Sequence, residues 1–109
     1  MMEPRRRIGK YEIMGALGSG SMASVYIAKD SKGTPVALKV PNRSILNHAG
    51  ALRRFKREGD ALLRLDHPHI VKAFAQAEHE GVPYLVMEYV DGYPLAQYMQ
   101  ARKEPYSVS

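Results

Sequence analysis

The stretch Leu17-Gly18-Ser19-Gly20-Ser21-Met22-Ala23-Ser24-Val25-Tyr26-Ile27-Ala28-Lys29, continued through Lys32-Gly33-Thr34-Pro35 into Val36-Ala37-Leu38-Lys39, decides the fold. Gly18 and Gly20 carry no Cβ, so the backbone there can turn tightly and bring its N–H groups close to a bulky anion. A phosphate chain is the natural occupant of such a loop. The β-branched and aromatic residues from Ser24 to Lys29 predict a strand, Lys32-Gly33-Thr34-Pro35 predicts a turn, and Val36–Lys39 predicts the next strand. The order is strand, glycine loop, strand, turn, strand.

Two other phosphate loops compete with this reading. Gly18, Gly20 and Ala23 fit a dinucleotide-binding fingerprint by spacing, but that motif needs a helix directly after the loop and an acidic residue about 20 positions on, and neither is found. The P-loop ending of Gly-Lys-Ser/Thr is also missing. With Val25 two residues after Ala23, and Val-Ala-Leu-Lys closing the third strand, the segment resembles the glycine-rich loop and lysine strand of the protein kinases.

Working outward, Tyr11–Leu17 reads as a half-buried first strand, and the basic residues 1–10 as a flexible arm. Pro41 ends the meander. From Asn42 to Asp66 the period becomes helical: at about 100° per residue Ala51, Leu52, Phe55, Gly59, Leu62 and Leu63 share one face, opposite Arg53, Arg57 and Arg64. A helix over about 48–65 follows, with Asn47 as its cap and His67-Pro68 as its stop. Gly59 inside it costs about 1 kcal/mol relative to Ala, which marks the helix as a mobile element. Ile70–Ala77 and Pro83–Tyr89 read as two further strands around Glu78-His79-Glu80-Gly81, and another helix begins near Tyr93 or Pro94. The expected fold is α+β: a five-stranded antiparallel sheet with one packed helix and the start of a further one.

Glu58 is the informative anomaly, because it lies on the edge of the apolar helix face beside Phe55 and Leu62. A carboxylate there needs a partner, and Lys39, ending an apolar strand, needs one too. Pairing them answers both needs. In the kinases that the segment resembles, the strand lysine holds the α- and β-phosphates of ATP and is itself positioned by a helix glutamate.

A second match is Tyr84-Leu85-Val86-Met87-Glu88-Tyr89-Val90-Asp91-Gly92, which looks like the kinase fifth strand and hinge, the hinge being 88–92. The resemblance implies Met87 as gatekeeper, the Glu88 carbonyl and Val90 N–H facing the adenine edge, and Leu17, Val25 and Ala37 as an apolar roof over it. It implies Gly18, Ser19, Gly20, Ser21 and Ala23 as the loop over the phosphates, and Lys39 and Glu58 as the catalytic pair. Two positions depart from the family pattern. Ala23 stands where a third loop glycine is usual, which stiffens the loop slightly, and Ala73 stands where a larger aliphatic residue is common.

Composition bounds the alternatives. A chain of 109 residues with 45% hydrophobic and 25% charged residues supports one small globular domain. It has no cysteine, so disulfides and thiolate metal sites are excluded; His67-Pro68-His69 then reads as the kinase turn between helix and strand rather than as metal ligands. No apolar run approaches the ~20 residues that span a bilayer, and Lys10 and Glu12 interrupt any signal peptide, so a cytoplasmic setting is expected and Asn42-Arg43-Ser44 carries no weight as a glycosylation site. The net charge of +5 resides on one helix back and a short arm without interleaved aromatics, which argues against nucleic acid.

The resemblance runs from about Tyr11 to Met99 and implies only the upper, nucleotide-holding lobe, with 93–109 leading toward a second lobe. The His-Arg-Asp loop, the Asp-Phe-Gly magnesium ligand and the Ala-Pro-Glu segment do not occur in the sequence. The expectation is the ATP-binding lobe of a Ser/Thr protein kinase, inactive alone, with Mg²⁺ held by residues of the other lobe. The alternative is a regulatory module that binds a nucleotide, a C-lobe or another kinase domain without catalysis. The lower face of the sheet is expected to be apolar and exposed.

Overall fold

A computed structural model describes residues 6–65 and 71–100. Within them a six-stranded antiparallel sheet forms in the order β1-β2-β3-β4-β6-β5, from β1 (Arg7–Ile8), β2 (Tyr11–Ser19), β3 (Ala23–Lys29), β4 (Pro35–Pro41), β5 (Ala73–His79) and β6 (Val82–Glu88). Three helices complete it: α1 (Arg43–Leu46), α2 (Ala49–Leu63) and α3 (Leu95–Gln100).

The sheet has one strand more than the five expected. Arg7 and Ile8, inside the expected arm, pair with Glu12 and Tyr11. Two further bonds hold them, from Ile13 N–H to the Arg6 carbonyl (2.9 Å) and from Gly9 N–H to His79 Nδ1 (3.0 Å). Residues 1–5, the His67-Pro68-His69-Ile70 turn and Tyr106, Ser107 and Ser109 lie outside the described residues.

Side chains alternate across the strands, so the sheet carries two cores. On one face Val25, Ala37, Leu85, Met87 and Ala73 pack with Leu62 of α2 and Tyr98 of α3. On the other, Tyr11, Ala28, Val36, Leu38, Tyr84 and Val86 pack together beneath Ile8, Ile13 and Val40. Tyr11 meets Tyr84 edge-on, with ring centroids 6.2 Å apart. The first face, expected to be open, is covered by α3.

Turn chemistry sets the strand order. Asp30 Oδ1 accepts from Lys32 N–H (2.9 Å) and Thr34 N–H (2.8 Å), which closes the β3–β4 turn locally. Glu80 (φ 52°) and Gly81 (φ 81°) both take the left-handed region that a tight two-residue hairpin requires between β5 and β6.

The expected cap of α2 is displaced by one residue. Residues 43–46 form α1, which Asn47 closes, and the His48 ring accepts Ala51 N–H at 3.1 Å. The helix then buries Phe55, Gly59 and Leu62, as its period requires, while Leu63 stays 37% exposed. No helix of the described residues is long and apolar enough to cross a membrane.

Candidate functional site

The first face of the sheet brings the sequence-predicted residues together. Strand register sets Val25 opposite Lys39, and Ala37 opposite Met87. Val25, Ala37 and Met87 are each 0% exposed, and Leu17 and Val90 pack against the same cluster. These side chains form an apolar wall that runs from the hinge at Val90 toward Lys39, and Tyr98 is buried in the same cluster.

Lys39 carries the electrostatics of this site. Burial pushes its ammonium below the ordinary lysine range, and the Glu58 carboxylate, half-buried on α2, pulls it part of the way back. Its Nζ also lies 3.5 Å from the Tyr98 carbonyl and 3.4 Å from that of Met99. Two backbone carbonyl oxygens thus stand in front of the partly buried ammonium.

The glycine loop is the β2–β3 turn. Gly20 N–H donates to the Ala23 carbonyl at 2.8 Å, leaving Ser19, Gly20, Ser21 and Met22 exposed at the tip, while Ala23 is 2% exposed beneath it. Gly18, at φ 154°, has a backbone that L side chains rarely adopt, and a Cβ there would collide with the Leu95 side chain. At the hinge Glu88 is exposed, and its N–H is bonded to the Lys72 carbonyl at 2.8 Å.

Two residues at the site escaped the sequence reading. The first is Asn42, just after β4, whose amide donates to the Gly20 carbonyl (2.8 Å) and accepts from Ser24 Oγ (2.7 Å), while its N–H donates to the Met22 carbonyl (2.8 Å). Ser24 Oγ also lies 3.0 Å from Ser19 Oγ. Asn42 therefore clamps both limbs of the loop. Asn42→Ala removes two side-chain bonds and is expected to cost about 1–2 kcal/mol and to speed exchange of the Gly20–Ala23 amides at least about tenfold. Unchanged exchange rates in a hydrogen-exchange experiment would show that the loop holds itself.

The second is Tyr98, 1% exposed among Val25, Ala37 and Met87. Its phenol accepts Val90 N–H at 3.0 Å and donates to the Val90 carbonyl at 3.3 Å, while Tyr93 packs on it edge-on with centroids 4.9 Å apart. Burial raises its pKa, as do the charges of neighbouring groups, against a lowering by the backbone bond from Val90. Among the described residues no cluster of three or more His, Cys, Asp or Glu side chains is placed to hold a metal ion.

Known proteins resemble this chain in sequence and in fold. Residues 11–108 match the protein kinase domain family. The chain is 38% identical over 102 residues to the serine/threonine-protein kinase PrkC of Bacillus subtilis, covering 93% of this chain and 16% of that protein. It is 40% identical over 92 residues to the probable serine/threonine-protein kinase PknB of Lactococcus lactis, covering 83% of this chain and 15% of that one. The solved kinase domain of Mycobacterium tuberculosis PknI superposes with a TM-score of 0.70 at 30% identity, over 91% of this chain and 40% of that chain. The chain thus spans a small part of the length of the curated relatives it matches. A family match over most of the residues, with a solved relative that superposes over 91% of the chain, places the chain in the protein kinase family, as the amino-terminal lobe of a bacterial-type Ser/Thr kinase.

Proposed function

We propose that this lobe binds ATP and that, in a complete enzyme, it holds the nucleotide while the γ-phosphate passes to a protein Ser or Thr. The observation that carries the reading is the hinge: Val90 presents both its N–H and its carbonyl to the hydroxyl of Tyr98, whose ring is buried in one apolar cluster with Val25, Ala37 and Met87. A phenol fills that place here, offering the donor and the acceptor that an adenine edge also offers. Lys39 lies at the phosphate end of the same apolar wall, where a desolvated ammonium forms its strongest bonds with anionic oxygens.

In this reading Val90, the apolar wall and Lys39 would hold the nucleotide, and Mg²⁺ is held by residues of the second lobe. Without those residues and a His-Arg-Asp base the chain binds but does not transfer phosphoryl groups. The reading sets the lobe in the cytoplasm, where ATP is available.

Thermal denaturation tests it. A ligand that binds only the folded chain stabilises it by about 2.7 kcal/mol at one hundred times its Kd, so millimolar ATP is expected to raise Tm by several degrees. An unchanged Tm at millimolar ATP, both in this chain and in a Tyr98→Ala variant that frees the polar groups of Val90, removes the proposal.

A further inference from the structure

Gly92, at φ 79°, turns the chain after the hinge, and α3 runs back beneath the sheet. Its side chains then take the places that the proposed nucleotide would need. Tyr98 is buried in one cluster with Val25, Ala37 and Met87 and holds both polar groups of Val90. Leu95 presses against Gly18, and the Met99 sulfur and methyl lie 3.6 Å from where a Cβ on Gly20 would stand. Lys39 Nζ faces the carbonyls of Tyr98 and Met99 at 3.5 and 3.4 Å.

Those last two contacts have a physical reason. The final carbonyls of a helix have no partner within it and carry partial negative charge, so a buried cation beside them is favourable. The helix end therefore offers Lys39 a weaker version of what a phosphate would offer. Roof, hinge, glycine loop and lysine are all engaged by one six-residue helix.

We infer that α3 is an internal occupant of the nucleotide pocket, with Tyr98 in the place of the adenine ring, so that α3 and ATP exclude each other. This rests on the ATP reading proposed above. ATP then binds only the fraction of molecules whose α3 has left, and its apparent Kd is weakened by that fraction. A partner that holds α3 elsewhere would open the site.

The test uses the full chain and two variants. Tyr98→Ala empties that place and is expected to tighten ATP binding at least about tenfold by calorimetry, since it removes the ring and both hinge bonds. Tyr98→Phe keeps the ring, so it guards against unfolding, and is expected to tighten binding about threefold to tenfold. In the unaltered chain, hydrogen exchange is expected to show the Val90 and α3 amides protected without nucleotide, with α3 losing protection and Val90 keeping it at saturating ATP. Equal ATP affinity in all three proteins, with α3 still protected when ATP is bound, would overturn the inference and leave the ATP reading standing. Failure of all three to bind ATP, with the Tyr98→Phe chain folded, would overturn the ATP reading and mutual exclusion with it.

Discussion

Lys39→Met is expected to abolish most nucleotide affinity while leaving the free chain as stable as before or more so. The two effects have different origins. Charge-assisted bonds to phosphate oxygens contribute about 1.5–3 kcal/mol each, so losing them weakens ATP binding about tenfold to a hundredfold. In the free chain the same ammonium is a burden, because burial, the larger influence on it, disfavours its charge more than Glu58 favours it. Methionine has a similar length and no charge to desolvate.

The pH dependence distinguishes this account from simple loss of a side chain. Lys39 titrates below the ordinary lysine value of 10.5 in the folded chain, so at pH values between the two the unfolded chain holds a proton that the folded chain lacks. Stability contributed by this group therefore rises with pH across that window, and at lower pH, where both states are protonated, the full penalty is present. The advantage of the methionine variant is accordingly largest near neutral pH and shrinks as the pH climbs toward 10.5. Tyr84 and Tyr98, whose pKa values burial raises, lose stability in the alkaline range, but they do so in both proteins and cancel in the difference. Paired urea titrations from neutral to alkaline pH measure that difference. A wild-type chain clearly more stable than the variant at neutral pH would mean that the attraction of Glu58 and the α3 carbonyls outweighs desolvation.

What could be read in advance was what local chemistry controls. The alternation from Val25 to Lys39 and the helical period from Ala51 to Leu62 are local signals, and the structure forms the strands and the helix that they predict. Contacts between distant segments have no such signature. Arg7 and Ile8 look like part of a solvated arm until Glu12 and Tyr11 are seen beside them. Asn42 looks like a loop residue after a strand, and only the return of the β2–β3 turn toward it reveals two bonds across the glycine loop. Tyr98 looks like one more apolar position on a helix leading away; the reversal at Gly92 sends it under the sheet instead. The shift of the α2 cap from Asn47 to His48 has a local cause, since α1 uses Asn47 for its own end.

Gly59 shows how the same residue changes meaning once its neighbours are known. By propensity alone a mid-helix glycine costs about 1 kcal/mol relative to alanine and suggests mobility. Here it is buried against β5, and a Cβ would stand 2.6 Å from Gln76 Oε1. The Gln76 amide cannot simply swing away, because its Nε2 donates to the Lys56 carbonyl (3.0 Å) and to Asp60 Oδ1 (2.8 Å). Glycine thus permits a close approach of helix to sheet, and the next residue back along that helix is Glu58.

Gly59→Leu is therefore expected to cost about 2–4 kcal/mol, combining overpacking of the α2–β5 contact with loss of the Gln76 bonds. It should also weaken ATP binding without touching the nucleotide, because lifting α2 carries Glu58 away from Lys39. Gly59→Ala, which adds only a Cβ, is expected to stay within about 1 kcal/mol of wild type, its helix propensity offset by the displaced amide. A double-mutant cycle measured by urea unfolding separates these two contributions. In a Gln76→Ala background the amide is gone, and Gly59→Ala should then stabilise the chain by about 1 kcal/mol, the full propensity gain. If alanine at position 59 has the same effect in both backgrounds, Gln76 is not what holds that position to glycine, and the helix must be kept close to the sheet by Phe55 and Leu62 alone.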